Sequence, residues 1–397
     1  PMSTRKESLE ELGKAFAERF GSGDGPLFSV APGRVNIIGE HTDYNGGPVM
    51  PLAIDMCVEL AFRKRDDRRV VLHSTTESDP VEFSLDDLES MKGKGWGAYA
   101  AGVCFMLGKA GVEPRGMDGM AGGDLPVGIG LSSSAALEVA VAAAQVHLAS
   151  AKLDRLEIAR VCQMAEHEFA GVKCGIMDQF AAVMGSRKGP VYLDCRTMAY
   201  RELPFPRGLS VVLCDTGVKH SLGTSEYNKR RAECEEALAV MKEHVKGLEC
   251  LAQLPLGEFK LLKHYLRDKV AWRTEHVITE TRRTFEAAKA LASSNPLQLG
   301  VLMNASHESL RDHYEVSCPE LDTLARAAWD ADGVYGSRMT GGGFGGCTVT
   351  VADSGKVEKL AESLREAYTE AFGREPGIYV CAPQRGAYVT RIREGES

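Results

Sequence analysis

Hydrophobic residues recur three and four positions apart across residues 6–20, between charged positions, and Gly21 closes the run. The spacing predicts an amphipathic helix with a glycine-rich link to Pro26. Period-two alternation then predicts strands at 27–30, 56–63 and 69–74. Trp96, Gly97 and Tyr99 open an apolar helix running toward Leu107, and residues 135–149 read as a second, alanine-rich one. From 154 onward Ile158, Val161, Cys162, Ala165 and Phe169 make one apolar helix face until Gly171 breaks it. Strands are expected again at 190–195 and 209–215, and helices over most of 251–331. A strand, glycine loop and strand follow at 333–351, then a helix at 357–372 and a strand at 378–382, which complete a small α+β unit. Lys229, Arg230 and Arg231 read as a solvated helix face with Glu233 and Glu235 as charge partners.

Length divides this pattern. A single core stops growing at roughly 250–300 residues, and the chain has 397. Two domains are therefore expected, residues 1–205 and 206–397, parted at the Pro204-Phe205-Pro206 link. A net charge of −8 argues against a general nucleic-acid surface. No apolar run reaches the roughly 18 residues of a membrane span, since Glu138, Gln145 and His147 interrupt 135–149. The first 25 residues carry Lys, Arg and Glu without an apolar stretch, which predicts no secretory signal. Pro1 ahead of Met2 reads as a remnant of processing. Eleven cysteines, never paired as Cys-x-x-Cys, suit reduced core thiols of a cytoplasmic protein. Cys174, at the head of CGIMDQF, is the one to watch for oxidation.

Two stretches carry candidate chemistry. In PVGIGLSSSAALE, residues 126–138, Gly128 and Gly130 are followed by Leu131, then Ser132, Ser133 and Ser134, and then by the alanine-rich helix. Unpaired N–H groups, the helix dipole and glycines that admit a phosphate make such a junction an anion site. The bland alternative is a serine-capped buried helix after a turn. The loop lacks the third glycine of a dinucleotide fingerprint, where Ser133 stands, and the Gly-Lys-Ser/Thr of a Walker A loop. The second stretch, APGRVNIIGEHTDYNGGPVMPLAI at 31–54, is dense in charge and glycine yet flanked by apolar residues, a setting that usually serves contact with a ligand.

Within it, APGRVNIIGEHTDYN resembles the signature of galactokinases in the GHMP small-molecule kinase family, while PVGIGLSSSAA, CGIMDQF and the glycine loop of 333–351 are similar to further motifs of that family. The resemblance implies a two-domain α+β GHMP-kinase fold with its active site in the inter-domain cleft. It implies that Glu40, His41, Asp43, Gly175 and Tyr227 bind galactose, and that Asp178 and Arg34 are catalytic. Gly128, Gly130, Leu131, Ser132, Ser133 and Ser134 would hold ATP, with Ser134 and Glu166 on Mg²⁺. Trp96 is implied as an adenine platform, against the alternative of a core tryptophan. The glycine loop is expected to close the sugar pocket rather than touch phosphate. The implied activity is ATP-dependent phosphorylation of D-galactose at its anomeric hydroxyl, opening galactose catabolism, in a cytoplasmic monomer or weak homo-oligomer without nucleic-acid or membrane partners. Asp178 would act as general base or as an orienting group. A kinase for N-acetylgalactosamine, arabinose or a non-sugar alcohol, and a silent galactose sensor, remain rivals. Thr42-Asp43-Tyr44-Asn45 favours plain galactose, and the intact loop with Asp178 and Arg34 favours catalysis.

Overall fold

The computed structural model describes residues 2–218 and 223–392. Pro1 lies outside them. Strands β1 (Leu27–Asn36), β2 (Pro48–Val49), β3 (Pro51–Lys64), β4 (Arg69–Ser74), β5 (Val81–Ser84) and β6 (Met117–Gly123) come early. Strands β7 (Val191–Asp194) and β8 (Tyr200–Glu202) precede the proline link. Beyond it lie β9 (Leu209–Asp215), β10 (Val334–Thr340), β11 (Cys347–Asp353), β12 (Gly377–Cys381) and β13 (Tyr388–Thr390). They form a six-stranded sheet in the order β13-β1-β3-β6-β4-β5, a four-stranded sheet β10-β11-β9-β12 and a small sheet β2-β7-β8. Among the described residues only β4 and β6 pair in parallel.

Helices cover these sheets. They are α1 (Met2–Phe20), α2 (Gly97–Lys109), α3 (Ser133–Leu148), α4 (Arg155–Ala165), α5 (Met177–Met184), α6 (Gly223–His244), α7 (Leu256–Leu262), α8 (Asp268–Ala292), α9 (Pro296–Ser309), α10 (Pro319–Trp329) and α11 (Val357–Phe372). Helix α1 lays Leu9, Leu12 and Phe16 on one face of the six-stranded sheet, against Phe28, Val30 and Met120. On the other face α3 and α5 pack against β1 and β3. Alanines at 135, 136, 140, 142 and 144 are all buried, and their short side chains let α3 sit close to its neighbours on every side.

This double cover explains where the strand boundaries depart from expectation. Every residue of β1 after Leu27 is buried, so the inside–outside alternation that marks a half-exposed strand is missing. Residues 31–36 and 51–55, expected to lie between strands, are the inner ends of β1 and β3. A register shift between Pro32 and Arg34 bends β1 there. Gly33 stands at that bend because a Cβ would run into Leu125 and the Leu131 carbonyl.

One continuous apolar core joins Val35 of the first sheet and Ile37 just beyond it to Leu213 and Val349 of the second. The chain also returns across the link: β13, within the expected second domain, adds an edge strand beside β1, with Phe28 opposite Thr390. No helix among the described residues is long and apolar enough to cross a membrane.

Candidate active site

Three loops converge on a cavity of about 330 Å³. Its wall includes Arg34, Glu40, His41 and Asp43 from the first polar block, Gly128, Gly130 and Ser132 to Ser134 from the start of α3, Glu166 after α4, Gly175 in the loop before α5, Asp178 of α5, Tyr227 of α6, and Gly341 to Phe344 of the glycine loop. Of the expected site residues, Leu131 and Trp96 are not on it.

Asp178, in the first turn of α5, accepts three hydrogen bonds. Arg34 Nε donates to its Oδ1 at 2.8 Å and Arg34 Nη2 to its Oδ2 at 2.9 Å. Ser132 Oγ adds a donor to Oδ2 at 2.6 Å. Arg34 is itself buried and gives its remaining arm to the Gly130 carbonyl at 2.7 Å. Asp178 and the other carboxylates nearby hold the guanidinium firmly protonated despite its burial. Leu131 serves this geometry from behind, since its carbonyl accepts from the Arg34 N–H at 3.2 Å.

The start of α3 is bent for the same purpose. Ser132 has φ 61°, a left-handed conformation that few non-glycine residues adopt, and its side chain does not cap the helix. The hydroxyl expected to face phosphate turns instead to Asp178. The hydroxyls of Ser133 and Ser134, by contrast, have no protein partner among the described residues and line the cavity beside the free N–H groups of the helix start.

Asp43 opens a short 3-10 turn, and burial together with the Asp178 charge pushes its carboxyl up to about 6. Gly175 is obligatory opposite it, because a Cβ there would overlap the Asp43 carboxylate. His41 is neutral: burial and the nearby His276, Arg230 and Arg338 lower its pKa to about 3. Its Nε2 lies 3.2 Å from the Gly342 carbonyl and its Nδ1 2.8 Å from the Tyr44 hydroxyl. The proton must then be on Nε2, assigned from the network, and Tyr44 donates to Nδ1. Tyr44 in turn meets the Tyr314 hydroxyl at 2.8 Å.

Glu40 is committed to the protein. It accepts from Gly341 N at 2.6 Å, from Arg338 at 3.4 Å and from the Asn36 amide. It therefore ties the first polar block to the glycine loop. Tyr227 stands with its ring centroid 5.5 Å from that of His41 and 5.6 Å from that of Tyr44.

Glu166 lies on a wide π turn, Glu166–Ala170, that extends α4 and ends at Gly171. Burial and the Asp178 charge raise its carboxyl to about 7. Gln179 Nε2 donates to Glu166 at 2.7 Å and to Glu138, wholly buried on α3, at 3.1 Å. Sequence reasoning passed over Gln179 and Glu138. The available signals were an amide directly after Asp178 and a carboxylate inside an otherwise apolar helix. No cluster of three or more His, Cys, Asp or Glu side chains that could hold a metal occurs among the described residues. Ser134 and Glu166 are hard oxygen donors on one wall, which fits a cation that completes its shell with water and phosphate.

Trp96 packs against the apolar core and donates Nε1–H to the Asp79 carbonyl at 3.0 Å. Two expectations are corrected. Arg230 is not solvated: it is buried and donates to the Tyr314 and Glu315 carbonyls at 2.7 and 2.9 Å. Cys174 is no reactive thiolate. Burial and the adjacent Glu166 and Asp178 push its pKa well up, and its Sγ lies 3.5 Å from Glu166.

With this geometry in hand, comparison with known proteins is decisive. A galactokinase galactose-binding signature matches residues 14–64, the GHMP kinases N terminal domain matches 98–186, and the GHMP kinases C terminal domain matches 287–370. The galactokinase of Chloroflexus aggregans is 42% identical over 98% of this chain and 99% of its own length. The chain belongs to the galactokinase family of GHMP kinases. The galactokinase of Clostridium beijerinckii is 40% identical over 96% of this chain and 98% of its own. The crystal structure of Lactococcus lactis galactokinase complexed with galactose superposes with a TM-score of 0.93 at 37% identity, covering 96% of this chain and 99% of that one. A Methanococcus jannaschii mevalonate kinase shares the fold at a TM-score of 0.65 and 18% identity, over 91% of this chain and all of that one. The galactokinase motifs thus stand on the two-domain α+β fold expected for them.

Proposed function

We propose that this galactokinase-family chain transfers the γ-phosphoryl group of ATP to the anomeric hydroxyl of α-D-galactose, giving galactose 1-phosphate and ADP. The observation that carries the reading is the placement of Asp178, gripped by Arg34 and Ser132, between the start of α3 and the Asp43 wall. Galactose lies against Asp43, Gly175 and Tyr227, with His41 and Glu40 shaping the floor. Asp43 accepts from a sugar hydroxyl. The N–H groups and hydroxyls of Ser133 and Ser134, beside Gly128 and Gly130, hold the phosphates. Mg²⁺ held by Ser134 and Glu166 would neutralise phosphate charge, the main demand of phosphoryl transfer.

The residues around Asp178 set where the proton goes. Three hydrogen bonds, two of them from a guanidinium, fix the plane of its carboxylate. Asp178 therefore aligns the anomeric O–H and receives its proton as the oxygen bonds to phosphorus. Arg34 steadies the charge on the reacting oxygens throughout. We place the division between the domains near residue 205, and the enzyme in the cytoplasm as a monomer or weak homo-oligomer.

The test is ADP release from Mg²⁺-ATP with D-galactose, alongside glucose, N-acetylgalactosamine and a no-sugar blank. Release with galactose at least tenfold above every other arm supports the reading. Galactose binding by calorimetry without ADP release moves the chain to the sensor class.

A further inference from the structure

A second cavity, of about 800 Å³, lies behind the sugar motif and is larger than the first. Its volume is within the range of small-molecule sites, on the order of 300–1,000 Å³. Gly46 and Pro48 line it on one side, and α8 lines the other with Thr281, Arg282, Arg283 and Phe285. Arg196 closes one end.

Three arginines, Arg196, Arg282 and Arg283, face two carboxylates, Asp194 and Glu286, on this wall. Asp194 spends its Oδ1 on the backbone N–H groups of Arg196 and Thr197, and Glu286 pairs with Lys289 at 3.3 Å. Arg282 has no ion pair or hydrogen bond among the described residues. Among the described residues, Arg283 uses Nε on Glu280 while its buried Nη2 has no acceptor, and the Arg196 guanidinium has only a 4.0 Å contact with Glu249. A buried donor without an acceptor is a standing cost that an anion relieves. The buried Thr281 hydroxyl likewise lacks a partner, and the Gln298 amide is exposed on the same wall. These are donors and acceptors for hydroxyl groups.

The cavity is also wired to the sugar wall. Arg283 donates to Glu280 Oε2 at 2.7 Å, and Glu280 Oε1 accepts from Gly39 N at 3.0 Å and from Ser306 at 2.6 Å. Gly46 ends the turn that Asp43 begins. Thr42 Oγ1, between them, spans the Gly39 and Pro48 carbonyls at 2.8 and 2.7 Å. A group that draws Arg283 or Gly46 moves the backbone on both flanks of residues 40–43.

We propose that this cavity is a regulatory site for a phosphate ester of a small polyhydroxy compound, and that filling it changes galactose affinity through Arg283, Glu280 and Gly39. Thermodynamic reciprocity requires galactose to change the ester's affinity by the same factor. The ester site does not depend on the reading of the first cavity; its coupling to galactose does.

The experiment is calorimetric titration of the full chain with glucose 6-phosphate, glycerol 3-phosphate, inorganic phosphate and uncharged glucose, each with and without saturating galactose plus a non-hydrolysable ATP analogue. Both esters are expected to bind when the first cavity is filled, more tightly than phosphate and with no heat from glucose. Arg282→Gln, at an exposed position with no contacts to lose, is expected to weaken them about tenfold, the scale of one charge-assisted hydrogen bond. Galactose affinity should shift by the same factor as ester affinity. Ester binding that disappears when the first cavity is filled, that Arg282→Gln leaves unchanged, or that phosphate matches would overturn the proposal. So would millimolar esters that give no heat. Ester binding with equal galactose affinity in both states removes the regulatory claim. Failure to bind galactose at all counts against the proposed function, while the ester titration still reads the second site.

Discussion

Arg34 and Asp178 are 144 residues apart in sequence and meet through two parallel hydrogen bonds, Nε to Oδ1 at 2.8 Å and Nη2 to Oδ2 at 2.9 Å. Such a fork fixes the plane of the carboxylate as well as its charge, which a lysine's point charge cannot do. Arg34→Lys should therefore lower kcat by roughly 10²-fold or more with a smaller change in the KM for galactose. Asp178→Asn should lose nearly all turnover while retaining galactose binding. Steady-state kinetics beside calorimetry read both, and near-normal turnover of Asp178→Asn would remove the proton-acceptor role.

Ser132 couples backbone strain to that pair. Its φ of 61° costs about 1 kcal/mol for a residue with a Cβ, and its hydroxyl spends that cost on Asp178. Ser132→Gly relieves the strain and deletes the hydroxyl; Ser132→Ala deletes the hydroxyl alone. The glycine variant should unfold at a higher temperature than the alanine variant, with both slowed roughly tenfold or more in kcat. Equal melting temperatures would refute the strain, and unchanged kcat would refute the hydroxyl's part.

Asp43 supplies a pH dependence whose sign follows from its raised pKa of about 6. Above pH 6 it is ionised and accepts from the sugar; below it, the neutral acid binds galactose less well. The KM for galactose should rise as pH falls through 6. Stability runs the other way. A raised carboxyl contributes fully below its unfolded value of 3.8, and the contribution is lost as pH rises through 6. Asp43→Asn should thus melt higher than the wild type at pH 7 in the absence of sugar, by up to about 3 kcal/mol in unfolding free energy, while binding galactose more weakly and without the pH 6 inflection. Gly175→Ala, which displaces the Asp43 carboxylate, should raise KM with its inflection moved. A KM flat from pH 5 to 8 in the wild type would contradict this assignment.

What the sequence made legible depended on exposure and on locality. Strand β4 and helix α11 lie where expected, because each shows its period on a half-exposed surface; β9 also lies where expected, although residues 211–214 are all buried. The inner ends of β1 and β3 were hidden by burial on both faces, which erases alternation. Motif residues close in sequence, such as Gly128 with Ser134, could be placed on one loop by reading alone. Partnerships across the fold could not: nothing local tells that Ser132 turns to Asp178 or that Glu40 anchors Gly341. Arg230 shows the same limit, since three consecutive cationic residues look solvated until α8 and the turn before Glu315 cover the middle one. The return of β13 to the first sheet is likewise a matter of topology, invisible to periodicity in a three-residue strand.

Glu138 tests how the interior behind the site tolerates charge. It is fully buried on α3, and its Oε1 has no partner while Gln179 serves Oε2. Burial and the nearby Glu166 and Asp178 push its pKa well above the ordinary 4.5, so the folded protein holds it as the neutral acid. A raised carboxyl stabilises fully below the unfolded pKa and loses that contribution as pH rises through the folded one. Glutamine copies the neutral acid in size and cannot ionise. Glu138→Gln should therefore match the wild type in urea midpoint at pH 4 and exceed it increasingly as pH rises, while Glu138→Ala, which leaves a cavity and strands Gln179, should cost about 2 kcal/mol or more at every pH. The raised pKa of Glu166 is common to both the wild type and the glutamine variant and cancels in their difference. A glutamine variant less stable by the same amount from pH 5 to 9 would mean that Glu138 is ionised in the fold.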